Sequence, residues 1–214
     1  MRKLCVIFVC IPAFLFSQQS DDGLDTSYNE KTPQINTHPT LELDTDSVVS
    51  DLKDLEAYFI KDSVLSSKFE SFKQTGIEKP LNVSYFDMQR VISKARTYIG
   101  TQHVIGGLSY SGIDCSGLLY VSFQEIGITD IARTAEEFAR YGSVILNPKN
   151  IQEGDLIFFT NTYASSALAT HAGICIGNGE FIHASANKGV MISKINDPYY
   201  WMPHFLFGTR VIGQ

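Results

Sequence analysis

The 214-residue sequence has little cysteine, and what it has is unevenly placed. Cys5 and Cys10 fall in the first ten residues, which leaves only Cys115 and Cys175 for the rest of the chain. Two cysteines cannot build the disulfide framework of a small exported scaffold. Two readings stay open: a single structural bridge between them, or a reactive thiol plus a cysteine buried as a small hydrophobe. Long apolar runs are lacking too. Leu4 to Phe16 is shorter than the roughly 20 residues that span a bilayer, so no stable transmembrane anchor is expected. Residues 88–214 carry 9 bases against 9 acids without a basic stripe, which argues against a nucleic-acid partner. Compact metal-site pairs of the Cys-x-x-Cys or His-x-x-x-His kind do not occur.

The first segment is organised as a secretory signal peptide, expected at residues 1–17: Arg2 and Lys3, then the apolar run, then Ser17 before Gln18. That places the protein outside the cytoplasm, periplasmic or extracellular. Val9 stands before Cys10 where a lipoprotein signal would have a small residue, so lipidation is the lesser expectation. Most of the acidity lies early, with 14 acids and 8 bases in residues 1–87. Residues 18–47, rich in Asp, Thr, Ser, Pro and Asn, read as a solvated, disordered linker. Residues 48–83 read as a helical extension. Leu52, Leu55 and Phe59, then Leu65, Phe69 and Phe72, recur at steps of three and four. Such a stripe (within residues 48–72) either packs on the main domain or docks a partner.

The main domain is expected at residues 84–214. Met88 to Ile99 has helical periodicity, and a glycine-rich loop follows through Gly106, Gly107 and Gly112. Cys115 opens a second helix that runs to about Ile126 and stops at Gly127. Thr134 and Glu137 have capping-box spacing ahead of a short helix. The period then switches to that of strands, at residues 155–159, 172–176, 180–184, 190–195 and 207–212. Helices followed by a strand meander predict an α+β fold with an antiparallel sheet.

Three residues in this frame carry chemistry. A cysteine at a helix N-terminus meets unpaired N–H groups and the positive end of the helix dipole, which favour a thiolate. Ser116 beside it is a candidate cap for the turn. His171 leads into a strand after the small polar loop Thr160–Thr170 and is placed to exchange a proton with Cys115. His183 lies across the Gly177-Asn178-Gly179 turn, so neighbouring antiparallel strands can bring the two imidazoles together, one orienting the other. That set reads as a cysteine hydrolase. Zinc held by Cys115, His171 and His183 is the competing chemistry, without the usual spacing. No motif calls for a cofactor.

At these residues the chain resembles the NlpC/P60 family of papain-like cysteine peptidases of bacterial cell-wall turnover. The matching pieces are Asp114-Cys115-Ser116-Gly117-Leu118, Arg133-Thr134, Gly154 to Phe159, His171-Ala172-Gly173-Ile174 and Gly177 to Ala184. They cover about residues 88–214, and their order with a 12-residue step between histidines is specific. The resemblance implies hydrolysis of an amide bond in peptidoglycan stem peptides, usually that between γ-D-glutamate and a diamino acid. It also implies roles: Cys115 as nucleophile, His171 as base, His183 as orienting residue and the Cys115 N–H as an oxyanion donor. His103 stands where the family commonly has a tyrosine, and Ile105 replaces an aromatic. His103 is therefore a candidate oxyanion donor or a bystander. Asp114, Ser116 and Arg133 are further substrate-binding candidates, Arg133 either for a substrate carboxylate or for an internal ion pair. Two alternatives stand beside this reading. One is a non-catalytic wall-binding module, although the sequence contains no dedicated wall-binding repeat. The other is the same fold acting on a different amide or acyl substrate.

Overall fold

The computed structural model describes residues 62–213 together with Ala57 and Phe59. The leader, the linker, Leu52 and Leu55 lie outside the described residues. Each main helix starts on a side-chain cap, as exposed backbone donors require. Asp62 accepts from Val64 and Leu65 to open α1 (Ser63–Gln74), and Ser84 accepts from Asp87 to open α2 (Tyr85–Thr97). Asp114 accepts from Gly117 to open α3 (Cys115–Gln124). The Thr134–Glu137 capping box forms in both directions and opens α4 (Ala135–Phe138). Ending α3 two residues before the expected Ile126 leaves room for Gly127, whose φ of 83° reverses the chain.

The strands form one six-stranded antiparallel sheet in the order β3-β8-β4-β5-β6-β7. Its members are β3 (Ser143–Ile145), β4 (Leu156–Phe159), β5 (His171–Cys175), β6 (Glu180–Ser185), β7 (Gly189–Lys194) and β8 (Phe205–Arg210). The meander β4 to β7 follows chain order, and β8 returns to pair with both β4 and β3. The pattern predicted β8 at 207–212; it begins two residues earlier because Phe205 pairs with Phe159 across a register shift. A small hairpin, β1 (Leu108–Ser109) and β2 (Gly112–Ile113), precedes α3, and α5 (Trp201–His204) precedes β8. Sequence periodicity indicated none of β1, β2, β3 or α5, which are too short to show a period.

Period-two alternation sorts the sheet residues into two cores. Phe158, Ala172, Ile174, Ile182, Ala184 and Phe207 join the large core with Met88, Val91, Leu118, Leu119 and Phe123 of the helices. Ile157, Phe159, Cys175, Phe181, Ile195 and Phe205 form a smaller core on the other face, against which Trp201 packs. Phe69 and Phe72 of α1 are buried in the large core, and Phe72 lies 6.2 Å from Phe207 between ring centres. Arg140 holds the end of this helix by donating to the carbonyls of Phe72 and Gly76, with its guanidinium 4.1 Å over the Phe72 ring. Phe69 and Phe72 of the 48–72 stripe are thus covered by the protein's own core, the packing alternative for that part of it. Just before β4, Asp155 is wholly buried and accepts from Arg210 at the end of β8 at 2.9 and 2.8 Å.

Candidate active site

α3 and β5 bring Cys115 and His171 to one cleft, and β6 places the fully buried His183 behind His171. The cleft has a volume of about 1040 Å³, and Cys115, His171, His103, Arg133 and Trp201 line it. α3 packs across β5, so the first residue of the helix meets the first residues of the strand. The backbone N–H groups of Ala172, Ser116 and Cys115 itself face the Cys115 sulfur. Helix position alone predicted a thiolate. Burial outweighs it: desolvation, with the neighbouring Asp114 carboxylate adding to it, pushes the thiol up to about 11 against the pull of those N–H groups. The resting group is therefore a thiol, half-buried and free. Cys175 is also free and buried. It lies on β5 in the core on the sheet face away from α3, and the bridge considered from sequence does not form.

The two imidazoles do meet. His171 Nε2 lies 3.0 Å from His183 Nδ1, and the rings stand nearly perpendicular at 79°. The contact depends on Gly173 between them in the hairpin. A β-carbon there would fall 2.6 Å from the Phe181 ring and 2.8 Å from the Ile182 carbonyl oxygen. The tight turn uses Gly177, Asn178 and Gly179, all at positive φ. Burial lowers His171 to about 3, with the charge of His103 adding to it, and burial likewise lowers His183. Both are neutral at ordinary pH, so His171 offers a bare nitrogen. Nε2 faces His183, so Nδ1 is the nitrogen turned away from it, and Nδ1 is bare in the tautomer whose Nε2–H donates to His183. Among the described residues no cluster of three His, Cys, Asp or Glu has a metal-holding arrangement.

The remaining sequence candidates form the floor beside the thiol. Asp114, rather than Ser116, caps α3; it accepts from Gly117 and Gly106 at 2.6 Å each. Arg133 grips the Asp114 carboxylate with two nitrogens at 3.1 and 3.2 Å and donates to Ser116 Oγ at 2.9 Å. Burial raises Asp114, but these donors together hold it below the ordinary carboxylate range. Arg133 is thus in an internal ion pair, and this pair, not a free cation, faces the cleft. His103 also lines the cleft, its backbone bridged to Ile113, and Ile105 nearby is 89% exposed.

Comparison with known proteins gives this arrangement a lineage. The NlpC/P60 family model matches residues 100–210, more than half of the chain. The chain belongs to the NlpC/P60 family. It is 42% identical over 112 residues to the gamma-DL-glutamyl hydrolase of Bacillus subtilis, covering 51% of this chain and 26% of that one. It is 32% identical over 125 residues to the murein DD-endopeptidase MepS/murein LD-carboxypeptidase of Escherichia coli K12, covering 58% and 63%. The crystal structure of a protein similar to lipoprotein, of the NLP/P60 family, from Staphylococcus aureus superimposes with a TM-score of 0.53 at 29% identity, covering 64% of this chain and 45% of that one. The chain therefore spans about a quarter of the first relative's length and less than two thirds of the second's. The α+β architecture found here is that of an NlpC/P60 domain.

Two residues at the site went unnoticed in the sequence. Trp201 covers the imidazole pair, with ring centres 5.2 Å from His171 and 4.6 Å from His183. Ser193 on β7 places its Oγ 3.0 Å from His183 Nε2. The single tryptophan ahead of the last strand was a visible signal. For Ser193 the only signal was the β6–β7 register, which a sequence does not give.

Proposed function

We propose that this protein is an exported cysteine peptidase that hydrolyses an amide bond in peptidoglycan stem peptides, the bond from γ-D-glutamate to a diamino acid. The observation that carries the reading is one cleft lined by a half-buried thiol at a helix start and by a neutral His171 whose ring contacts the buried His183. The names of the two relatives above, one a gamma-DL-glutamyl hydrolase and one a murein peptidase, support the substrate class. Action in the cell envelope follows from that substrate, and the leader expected at residues 1–17 would deliver the protein there, ahead of a linker at 18–47 and a helical extension at 48–83. The described helices include none long and apolar enough to cross a membrane.

In this reading the Cys115 proton passes to His171 Nδ1 as the sulfur bonds to the γ-carbonyl carbon. The oxyanion that forms is received by the Cys115 N–H, with His103 in the same cleft as a second donor. Collapse breaks the C–N bond, and the departing amine takes the proton from His171. Water then attacks the thioester, giving its proton to His171 and releasing the γ-carboxylate and the thiol. His183 accepts from His171 Nε2–H throughout, which keeps Nδ1 aimed at the thiol. Neutral partners suit a buried site, since charge is needed only once substrate has entered. Asp114 and Arg133 fix the start of α3 and so the position of the thiol.

The test is cleavage of L-Ala-γ-D-Glu-meso-diaminopimelate and of purified sacculi by the reduced protein beside Cys115→Ala. New free amine on the diamino acid, absent with the variant, is the expected result. Equal cleavage by the variant, or none by folded wild-type protein with a free Cys115, would overturn the reading.

A further inference from the structure

Both nitrogens of His183 are engaged. Nδ1 faces His171 Nε2 at 3.0 Å and Nε2 faces Ser193 Oγ at 3.0 Å. A neutral imidazole carries one proton, so this line of contacts admits only two proton arrangements. In the first, His171 is bare at Nδ1 and protonated at Nε2. It then donates to a bare His183 Nδ1, and His183 in turn donates its Nε2–H to Ser193 Oγ. In the second, Ser193 donates to His183 Nε2, His183 donates from Nδ1, and His171 keeps its proton on Nδ1. Only the first leaves His171 able to take a proton from a thiol.

We propose that Ser193 is a positioning residue: its oxygen accepts from His183 Nε2–H and so selects, through His183, the tautomer of His171 that can act as base. This rests on the reading of Cys115 as nucleophile and His171 as its base. The sheet builds the contact directly. In the β6–β7 ladder His183 pairs with Met191 and Phe181 pairs with Ser193. Ser193 is therefore the diagonal neighbour of His183 on the same face. Ser193 is half-buried and lines the cleft, so its own hydroxyl hydrogen can turn to water there while the oxygen accepts. His183 has no exposed surface, so without Oγ its Nε2–H would be a buried donor lacking its partner. When His171 becomes an imidazolium, the same contacts align donor to acceptor along the line and reinforce one another.

The experiment compares wild type, Ser193→Ala and Ser193→Thr by three readouts. They are ¹⁵N shifts of labelled histidines, kcat and KM on the wall tripeptide, and the rate at which iodoacetamide alkylates Cys115. The wild type is expected to hold its His183 proton on Nε2. Ser193→Ala is expected to mix the two tautomers, to lower kcat and the alkylation rate about tenfold, the loss of one hydrogen bond, and to leave KM within about twofold. Threonine keeps the hydroxyl and restores both rates. A wild-type His183 protonated on Nδ1, or alanine rates equal to wild type, would overturn the proposal. Should the alanine variant fail to fold, the wild-type shifts and the threonine variant decide. Alkylation needs no substrate, so a serine effect on alkylation without any wall-peptide cleavage would sustain the proposal while the substrate reading fails.

Discussion

Replacing Gly173 by alanine tests the geometry with a single methyl group. The new β-carbon would stand 2.6 Å from Phe181 Cδ2, 2.8 Å from the Ile182 carbonyl oxygen and 3.3 Å from His183 Cβ. Ordinary contact begins near 3.4 Å, so the Phe181 ring must retreat by about 0.8 Å and the β6 backbone by roughly half an ångström. The ring has little room, because Phe159 and Trp201 lie against it at 5.1 Å between centres. The yielding element is thus β6, the strand that carries His183. Opening the hairpin by that amount stretches the 3.0 Å imidazole contact to about 3.5 Å, at the limit of a hydrogen bond. Overpacking of this kind costs about 1–3 kcal/mol of stability, which lowers the melting temperature by roughly 2–10 °C. A catalytic base misplaced by a fraction of an ångström to an ångström costs up to about 100-fold in kcat. Thermal melts and wall-tripeptide turnover on the same preparation measure both. A Gly173→Ala protein with wild-type kcat and melting temperature would refute the argument that this glycine sets the His171–His183 contact.

Four other predictions rest on the same packing. Because burial lowers His171 to about 3, it stays neutral in the fold where its unfolded form, near 6.5, takes a proton. Stability is therefore whole above about pH 6.5 and declines as pH falls toward 3, and melts at pH 7 and pH 4 should show it; a higher melting temperature at pH 4 would contradict the burial argument. The acid limb of kcat/KM should likewise lie well below 6.5. Asp155→Ala removes a buried carboxylate that accepts from Arg210 and from the Gln152 N–H at 2.7 Å. With Arg210 about a third exposed, the loss should be about 2–3 kcal/mol in denaturant unfolding, and a loss under about 0.5 kcal/mol would show the pair to be dispensable. Arg133→Met leaves the Asp114 charge unbalanced beside the thiol, so alkylation of Cys115 should slow about tenfold, with Arg133→Lys between the two; an unchanged rate would remove this ion pair from the account.

How much was legible in the sequence depended on whether a feature is local. The helix start at Cys115, the capping box at Thr134 and the turn at Gly177 to Gly179 are written in adjacent residues, and each forms where its pattern lies. The meeting of His171 with His183 was also legible, because one short turn joins their strands. Ser193 was not. Its approach to His183 depends on the β6–β7 register, and a strand shifted by one residue would turn it to the other face. The stripe on α1 shows why pattern alone cannot separate packing from docking: Phe69 and Phe72 have the same spacing in either case, and only their burial against Phe207 decides. The thiolate expected of Cys115 failed for a related reason. A helix N-terminus is visible in sequence, whereas the burial that outweighs it is a result of tertiary packing, which adjacent residues do not show.

The central claim is that Cys115 attacks the γ-glutamyl carbonyl, and its most direct test is the mass of the intermediate. The protein would be mixed with L-Ala-γ-D-Glu-meso-diaminopimelate, quenched in acid within the first turnover and digested for mass spectrometry. The account predicts an L-Ala-γ-D-Glu acyl group on the peptide that contains Cys115, released by hydroxylamine and absent with Cys115→Ala. Turnover of the substrate without any adduct on that peptide, undiminished in Cys115→Ala, would contradict it.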